Sequence, residues 1–199
     1  MSDSNIHWLK PEQVEAMRDA AHEGRHGQRD DAILTILYDT GLRRKELAHV
    51  DRDMLDLDDE VLRLPTSVQK DYPNENSPDP AMLSLDPEGE LRTVRTLRAY
   101  LSTRDDDSPA LFPSRKSDRI TGKGINDVVQ RAAQRAEVRP YTFGGRGAAD
   151  GVSAHTLRHS VAYRMLHDYN GYTLYNVRNR LRHQRLATTE RVYDHFETI

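Results

Sequence analysis

The sequence predicts a mainly α-helical fold with a small antiparallel β-sheet set among the helices, an α+β arrangement. Two observations predict it. Apolar residues recur at helical spacing up to about residue 50 and again after residue 90. Between residues 52 and 85 the period changes, and short apolar runs are separated by turn residues. The 199 residues suit one domain, taken here as residues 1–199, and are enough to bury a core.

The elements follow in order. Pro11 suits the first turn of a helix, where its missing N–H is no loss. Val14, Met17 and Ala21 recur behind it, so residues 11–23 read as the first helix. Residues 22–28 read as a polar linker. Ala32, Ile33, Ile36 and Leu37 mark a second helix that ends at Thr40-Gly41, with glycine as the C-cap. A third helix is expected from about Arg44 to Val50. Residues 54–57, 61–64 and 82–85 read as strands, and the Asp58-Asp59 turn makes the first two a hairpin. The loop 66–80, with three prolines, precedes the third strand. Leu91, Val94, Leu97 and Leu101 give an amphipathic helix across 86–103, closed by the charged loop 105–107. Another helix is expected at 125–138. Residues 141–151 are glycine-rich and read as a mobile loop. Helices at 152–169, 174–181 and about 187–196 complete the chain. There is no internal repeat.

Composition excludes several classes. Without cysteine there is no disulfide framework, thiolate metal site or cysteine nucleophile. No apolar run approaches the roughly 18 residues of a membrane span. Met1 to Trp8 lack the basic and apolar regions of a secretory signal, so a cytoplasmic protein without membrane partners is expected. The net charge of −3 is unusual for a nucleic-acid binder. Its distribution says more. The only lysines are Lys10, Lys45, Lys70, Lys116 and Lys123, and acidic runs occur at 56–60 and 105–107. Such an acidic, lysine-poor surface resembles proteins of salt-loving organisms, although drift in a GC-rich genome gives the same bias. High salt screens phosphate attraction, so a DNA binder of this kind depends on a local basic face.

Three segments carry chemistry. The first is Thr40-Gly41-Leu42-Arg43-Arg44-Lys45-Glu46-Leu47. The second is Ser153-Ala154-His155-Thr156-Leu157-Arg158-His159. The third holds Leu181-Arg182-His183 and then Ala187 to His195, with Tyr193 near its end. A phosphodiester resists attack because its free oxygens are negative. Metal-free cleavage needs fixed cations, a nucleophile and an acid for the leaving oxygen. Arginine suits the first task through its planar, permanently charged fork. Each piece also has a plainer reading: Arg43 and Glu46 as a surface i,i+3 ion pair, and His183 as a histidine at a helix C-terminus. His155 and His159 have the spacing of a zinc pair, but no third ligand is indicated, so no metal is expected.

Read together and in this order, the three segments resemble the catalytic domain of the tyrosine recombinases, the phage-integrase and Xer-type family. The resemblance runs from about Leu9 to Phe196. It implies the tyrosine recombinase catalytic-domain fold. It implies that Arg43 and Arg158 clamp a phosphate, that His155 is a proton acceptor or phosphate ligand, and that His183 donates to the phosphate. It implies Tyr193 as the nucleophile. Glu46 would orient Arg43, His159 would support the cleft, and Arg44 and Lys45 would add DNA contacts. In the family the general acid is a lysine on a turn of the small sheet. Lys70, the only lysine between the second and third strands, fits that place, though it also reads as a solvated loop lysine. Relatives usually read Leu-Gly-His where this chain has Leu181-Arg182-His183, and the ten-residue gap from His183 to Tyr193 is one longer than in many.

The resemblance implies a site-specific DNA recombinase, or integrase, of a mobile element. It would break and rejoin double-stranded DNA through a 3′-phosphotyrosyl link, without cofactor. It would act as a homo-tetramer on DNA and as a monomer or weak oligomer without it. The N-terminal DNA-clamping domain of relatives is expected to be absent. Two other readings remain open: a non-catalytic DNA-binding regulator or recombinase remnant, and a topoisomerase-like enzyme that nicks and reseals one duplex. The intact set of Arg43, His155, Arg158, His183 and Tyr193 argues against a decayed remnant.

Overall fold

The computed structural model describes residues 6–69, 78–114, 117–167, 171–193 and 196. In chain order the helices are α1 (Pro11–His22), α2 (Gly27–Thr40), α3 (Arg44–Ala48), α4 (Thr93–Ser102), α5 (Gly122–Arg135), α6 (Ala154–His167), α7 (Leu174–Leu181) and α8 (Leu186–Tyr193). The strands are β1 (Leu55–Asp56), β2 (Val61–Leu64), β3 (Ala81–Ser84), β4 (Tyr141–Thr142) and β5 (Gly145–Arg146). Among the described residues no helix is long and apolar enough to cross a membrane.

Helix α2 is the central element. Every residue from Asp30 to Thr40 is buried, and α1, α4, α5 and α6 pack around it. A helix buried on all sides must bring partners for its polar groups. Asp31 accepts from Arg18 Nε at 2.7 Å and from the Thr35 hydroxyl at 3.2 Å, and Asp39 pairs with Arg180 of α7. The helix ends as the sequence implies. Gly41 takes a left-handed φ of 65°, and its N–H returns to the Leu37 carbonyl at 2.9 Å. A Cβ built there would lie 2.5 Å from Leu181 Cδ2, so glycine serves both the turn and the close approach of α7.

The sheet has the order β1-β2-β3 and is antiparallel throughout. Asp56 faces Val61, which puts Asp58 and Asp59 at the hairpin tip. Leu62 and Leu64 point to the core while Arg63 faces out, the expected alternation for a sheet covered on one side.

Several boundaries differ from the sequence reading. Helix α2 starts at Gly27, so the polar linker is shorter. Helix α4 starts at Thr93 rather than near residue 86. The Asp86 carboxylate accepts from the backbone N–H of Gly89, Leu91 and Arg92, and this folds the preceding residues into a loop. Helix α5 starts earlier, at Gly122, because the Thr121 hydroxyl caps it by accepting from Gly124 N at 3.0 Å. The glycine-rich stretch after residue 140 forms the β4–β5 hairpin. Tyr141 pairs with Trp8, and the Arg146 guanidinium sits 3.7 Å from the Tyr141 ring centre.

Candidate active site

Arg43 directly precedes α3, just after the left-handed turn at Gly41. That turn swings its side chain into a cleft of about 750 Å3, lined by Arg43, Arg44, Lys45, His155 and Arg158 among others. Glu46 fixes it twice. One carboxylate oxygen accepts from the Arg43 backbone N–H at 2.8 Å and the other from Arg43 Nη1 at 2.7 Å. Glu46 is 1% exposed. Burial alone would raise its carboxyl, but Arg182 and Arg43 outweigh that and hold it below the usual range. Arg44 and Lys45 stand exposed on the cleft rim.

Helix α6 supplies the next group. Ser153 and Thr156 cap its start reciprocally, and Asn126 of α5 accepts from Ala154 N at 3.1 Å. At the second residue of the helix, His155 opens onto the cleft. Desolvation there, then Arg158, Arg43 and Arg44, lower its pKa. Arg158 is 2% exposed. Its Nη1 donates to the Gly41 carbonyl and its Nη2 to the Leu181 carbonyl. Those carbonyls end α2 and α7, where the helix dipoles favour a cation. One side chain thus joins all three motif segments. Burial, then Arg43 and Arg182, lower the pKa of Arg158, although an arginine keeps its proton near neutrality.

His183 follows α7 and is partly buried. Its Nδ1 lies 2.9 Å from the Thr189 hydroxyl, and its ring stacks on Tyr193 at 6.1 Å between centres. Desolvation, then Arg158, Arg43 and Arg182, push its pKa down to about 3. Tyr193 is 1% exposed and does not line the cleft. Burial raises its phenol, with Arg158 and Arg43 opposing. Its hydroxyl lies 2.8 Å from His159 Nδ1. Desolvation, then His155, Arg158 and His183, push His159 down to about 3. At neutral pH both histidines are neutral and the phenol is protonated. Cations crowd around a single bridging carboxylate, Glu46, so the arrangement favours an incoming anion.

The structure therefore brings together Arg43, Glu46, His155, Arg158, His159, His183 and Tyr193. Lys70 and His195 lie outside the described residues. Sequence reasoning gave His159 only a supporting place and missed its direct contact with Tyr193. The i,i+4 spacing from His155 was the available signal. Arg182 was noted only as a departure from glycine, yet it donates to Glu46 at 2.8 Å. Among the described residues no group of three His, Asp or Glu could hold a metal ion.

A profile of the phage integrase family matches residues 7–198. The chain belongs to the phage integrase family. Among relatives within and around it, tyrosine recombinase XerC of Corynebacterium glutamicum is 31% identical over 170 residues, covering 84% of this chain and 46% of that protein. Tyrosine recombinase XerA of Thermococcus onnurineus is 28% identical, covering 82% and 50%. The chain spans about half the length of the curated relatives it matches. A crystal structure of XerA recombinase superposes with a TM-score of 0.72 at 22% identity, covering 94% of this chain and 60% of that one. XerH recombinase bound to its difH substrate, a pre-cleavage complex, superposes at 0.69 and 17% identity, covering 98% and 52%. These likenesses establish the fold of this phage integrase family member as that of the tyrosine recombinases, mainly α with a small antiparallel sheet.

Proposed function

We propose that residues 1–199 form the catalytic domain of a site-specific DNA recombinase that works through a 3′-phosphotyrosyl intermediate. One observation carries the reading: the buried Arg158 ties the Arg43 turn, the His155 helix and the His183–Tyr193 segment around one cationic cleft. Arg43 and Arg158 clamp the scissile phosphate, and His155 and His183 add donors. The Tyr193 oxygen attacks phosphorus and forms a P–O bond while the bond to the 5′ oxygen breaks. Lys70 is the proposed donor of the proton that the departing 5′ oxygen takes up. The phenol proton passes to His155, the proton acceptor that the resemblance implies, once Tyr193 has left His159 and reached the cleft. The free 5′ hydroxyl of a partner duplex then attacks the phosphotyrosine, its new P–O bond forming as the bond to the Tyr193 oxygen breaks and that oxygen takes back a proton, so no cofactor is consumed. Because Tyr193 is buried beside His159, α8 must shift for the phenol to reach the cleft. Double-stranded DNA is the proposed partner, bound by a tetramer. XerH is known bound to difH, and the Tn1549 transposon integrase bound to transposon end DNA, which supports that partner.

The test is incubation with a nicked suicide duplex across a salt series that includes molar KCl, beside Tyr193→Phe. A covalent protein–DNA adduct, absent in the variant, is the expected result. DNA binding without adduct at any salt would instead favour a non-catalytic regulator.

A further inference from the structure

Arg182 stands where the family pattern has glycine. Its backbone is left-handed, with φ at 53°, a conformation glycine takes freely and a long side chain does not. The side chain explains the exchange. It turns into the protein and is 9% exposed. Nη2 donates to one Glu46 oxygen at 2.8 Å, and Nη1 donates to the Arg180 carbonyl at 3.2 Å. Its Nε is buried without a hydrogen-bond partner. The other Glu46 oxygen accepts from Arg43 at 2.7 Å. One buried carboxylate therefore bridges two guanidiniums 139 residues apart in sequence, from 43 to 182. Arg43 and Glu46 line the cleft, and Arg182 stands behind them.

This geometry has an electrostatic consequence. A buried carboxylate facing Arg43 alone would cancel much of its pull on a phosphate. With a second guanidinium on the same carboxylate, the trio keeps a positive charge. Buried charges are also screened little by salt, which matters in a chain whose net charge is −3.

We propose that Arg182 is a positioning residue for phosphate binding. It acts through Glu46: it neutralises and holds that carboxylate, and so keeps Arg43 in place and cationic toward a phosphodiester. The ligand class rests on the recombinase reading above, and the test separates the two.

Inorganic phosphate is the probe, titrated by NMR into the wild-type chain, Arg182→Gly, Arg182→Lys and Arg182→Gln, with thermal melts as a control on folding. Arg182→Gly is expected to weaken phosphate roughly tenfold, because the Glu46 carboxylate is then left facing Arg43 alone and offsets its charge at a partly buried site. Arg182→Lys restores charge without the fork and is expected to recover most of that loss, whereas Arg182→Gln is not. A purely structural tie would give the opposite order or no change in binding. In a Glu46→Gln background, Arg182→Gly is expected to change binding less than about twofold. Wild-type phosphate affinity in Arg182→Gly, or equal losses in both backgrounds, overturns the proposal. If Arg182→Gly does not fold, the lysine and glutamine variants decide by the same order. The suicide-duplex assay is read separately. Wild-type protein without adduct but with this phosphate pattern would overturn the recombinase reading and leave the role of Arg182 standing.

Discussion

Mild acid should destabilise this protein before its carboxylates titrate, and His159 should be a main cause. His159 is 8% exposed and pushed down to about 3, while a histidine in an unfolded chain titrates near 6.5. The groups facing it are His155, Arg158, His183, His7 and the Tyr193 hydroxyl, so no anion favours its protonated form. A depressed folded pKa gives stability that is fully present above pH 6.5 and is lost as pH falls toward 3. By pH 5 the loss is about 2 kcal/mol for one such histidine. His183, also pushed down to about 3, is partly exposed, so its share is discounted for solvent screening. Together they should cost about 3 kcal/mol by pH 5, a large part of a typical domain stability of about 5–15 kcal/mol. Urea unfolding at pH 7, 6.5, 6, 5.5 and 5, in buffers free of phosphate and sulfate, measures this. His159→Asn keeps a polar partner for the Tyr193 hydroxyl and should lower the limiting slope by about 1.4 kcal/mol per pH unit. Stability that stays constant from pH 6.5 to 5, or a wild-type slope in His159→Asn, would refute the reasoning.

Other substitutions probe the same framework. Gly41→Ala forces a Cβ into a left-handed turn and onto Leu181, so it should cost about 2–4 kcal/mol in urea unfolding, and the chain should still fold. Tyr193→Phe leaves His159 Nδ1 buried without its partner, which should cost about 1–2 kcal/mol while the adduct on nicked DNA disappears entirely. Glu46→Gln removes the carboxylate that Arg43 and Arg182 share, so a loss of about 3–5 kcal/mol is expected, read by chemical denaturation.

The sequence marked the residues that gather at the candidate site more fully than the element boundaries, for physical reasons. His155 and Arg158 share a face of α6 by their i,i+3 spacing, a glycine before Arg43 marks a left-handed turn that few other residues tolerate, and the resemblance to the tyrosine recombinases joined these segments into one candidate site. The strands were legible because β2 alternates and its hairpin turn is acidic. Helix α4 was read too long because Asp86 satisfies three backbone N–H groups in a loop, a contact that periodicity does not register. The β4–β5 hairpin was read as a loop because its order comes from Trp8, more than 130 residues away in sequence. Contact between His159 and Tyr193 likewise depends on how α8 packs on α6, which no local pattern encodes.

Fold and chemistry share atoms here, which limits what can be separated by mutation. Arg158 would be a costly residue to bury for phosphate alone, because a guanidinium taken out of water loses several kcal/mol of hydration. It is accommodated because two helix ends present carbonyls to it, at Gly41 and Leu181. Those same carbonyls need donors, since each closes a helix inside the core. The cation therefore completes the packing of α2, α6 and α7, and the packing in turn fixes the cation beside Arg43. Glu46 repeats the logic at smaller scale: its burial is compatible with the fold only because Arg43 and Arg182 both reach it. A site built this way is rigid before any ligand arrives, so little reorganisation is needed when a phosphate enters. Tyr193 is the exception. It is held by one hydrogen bond and aromatic packing rather than by charge, so the proposed nucleophile is the member of the set that can move while the cationic cluster stays in place.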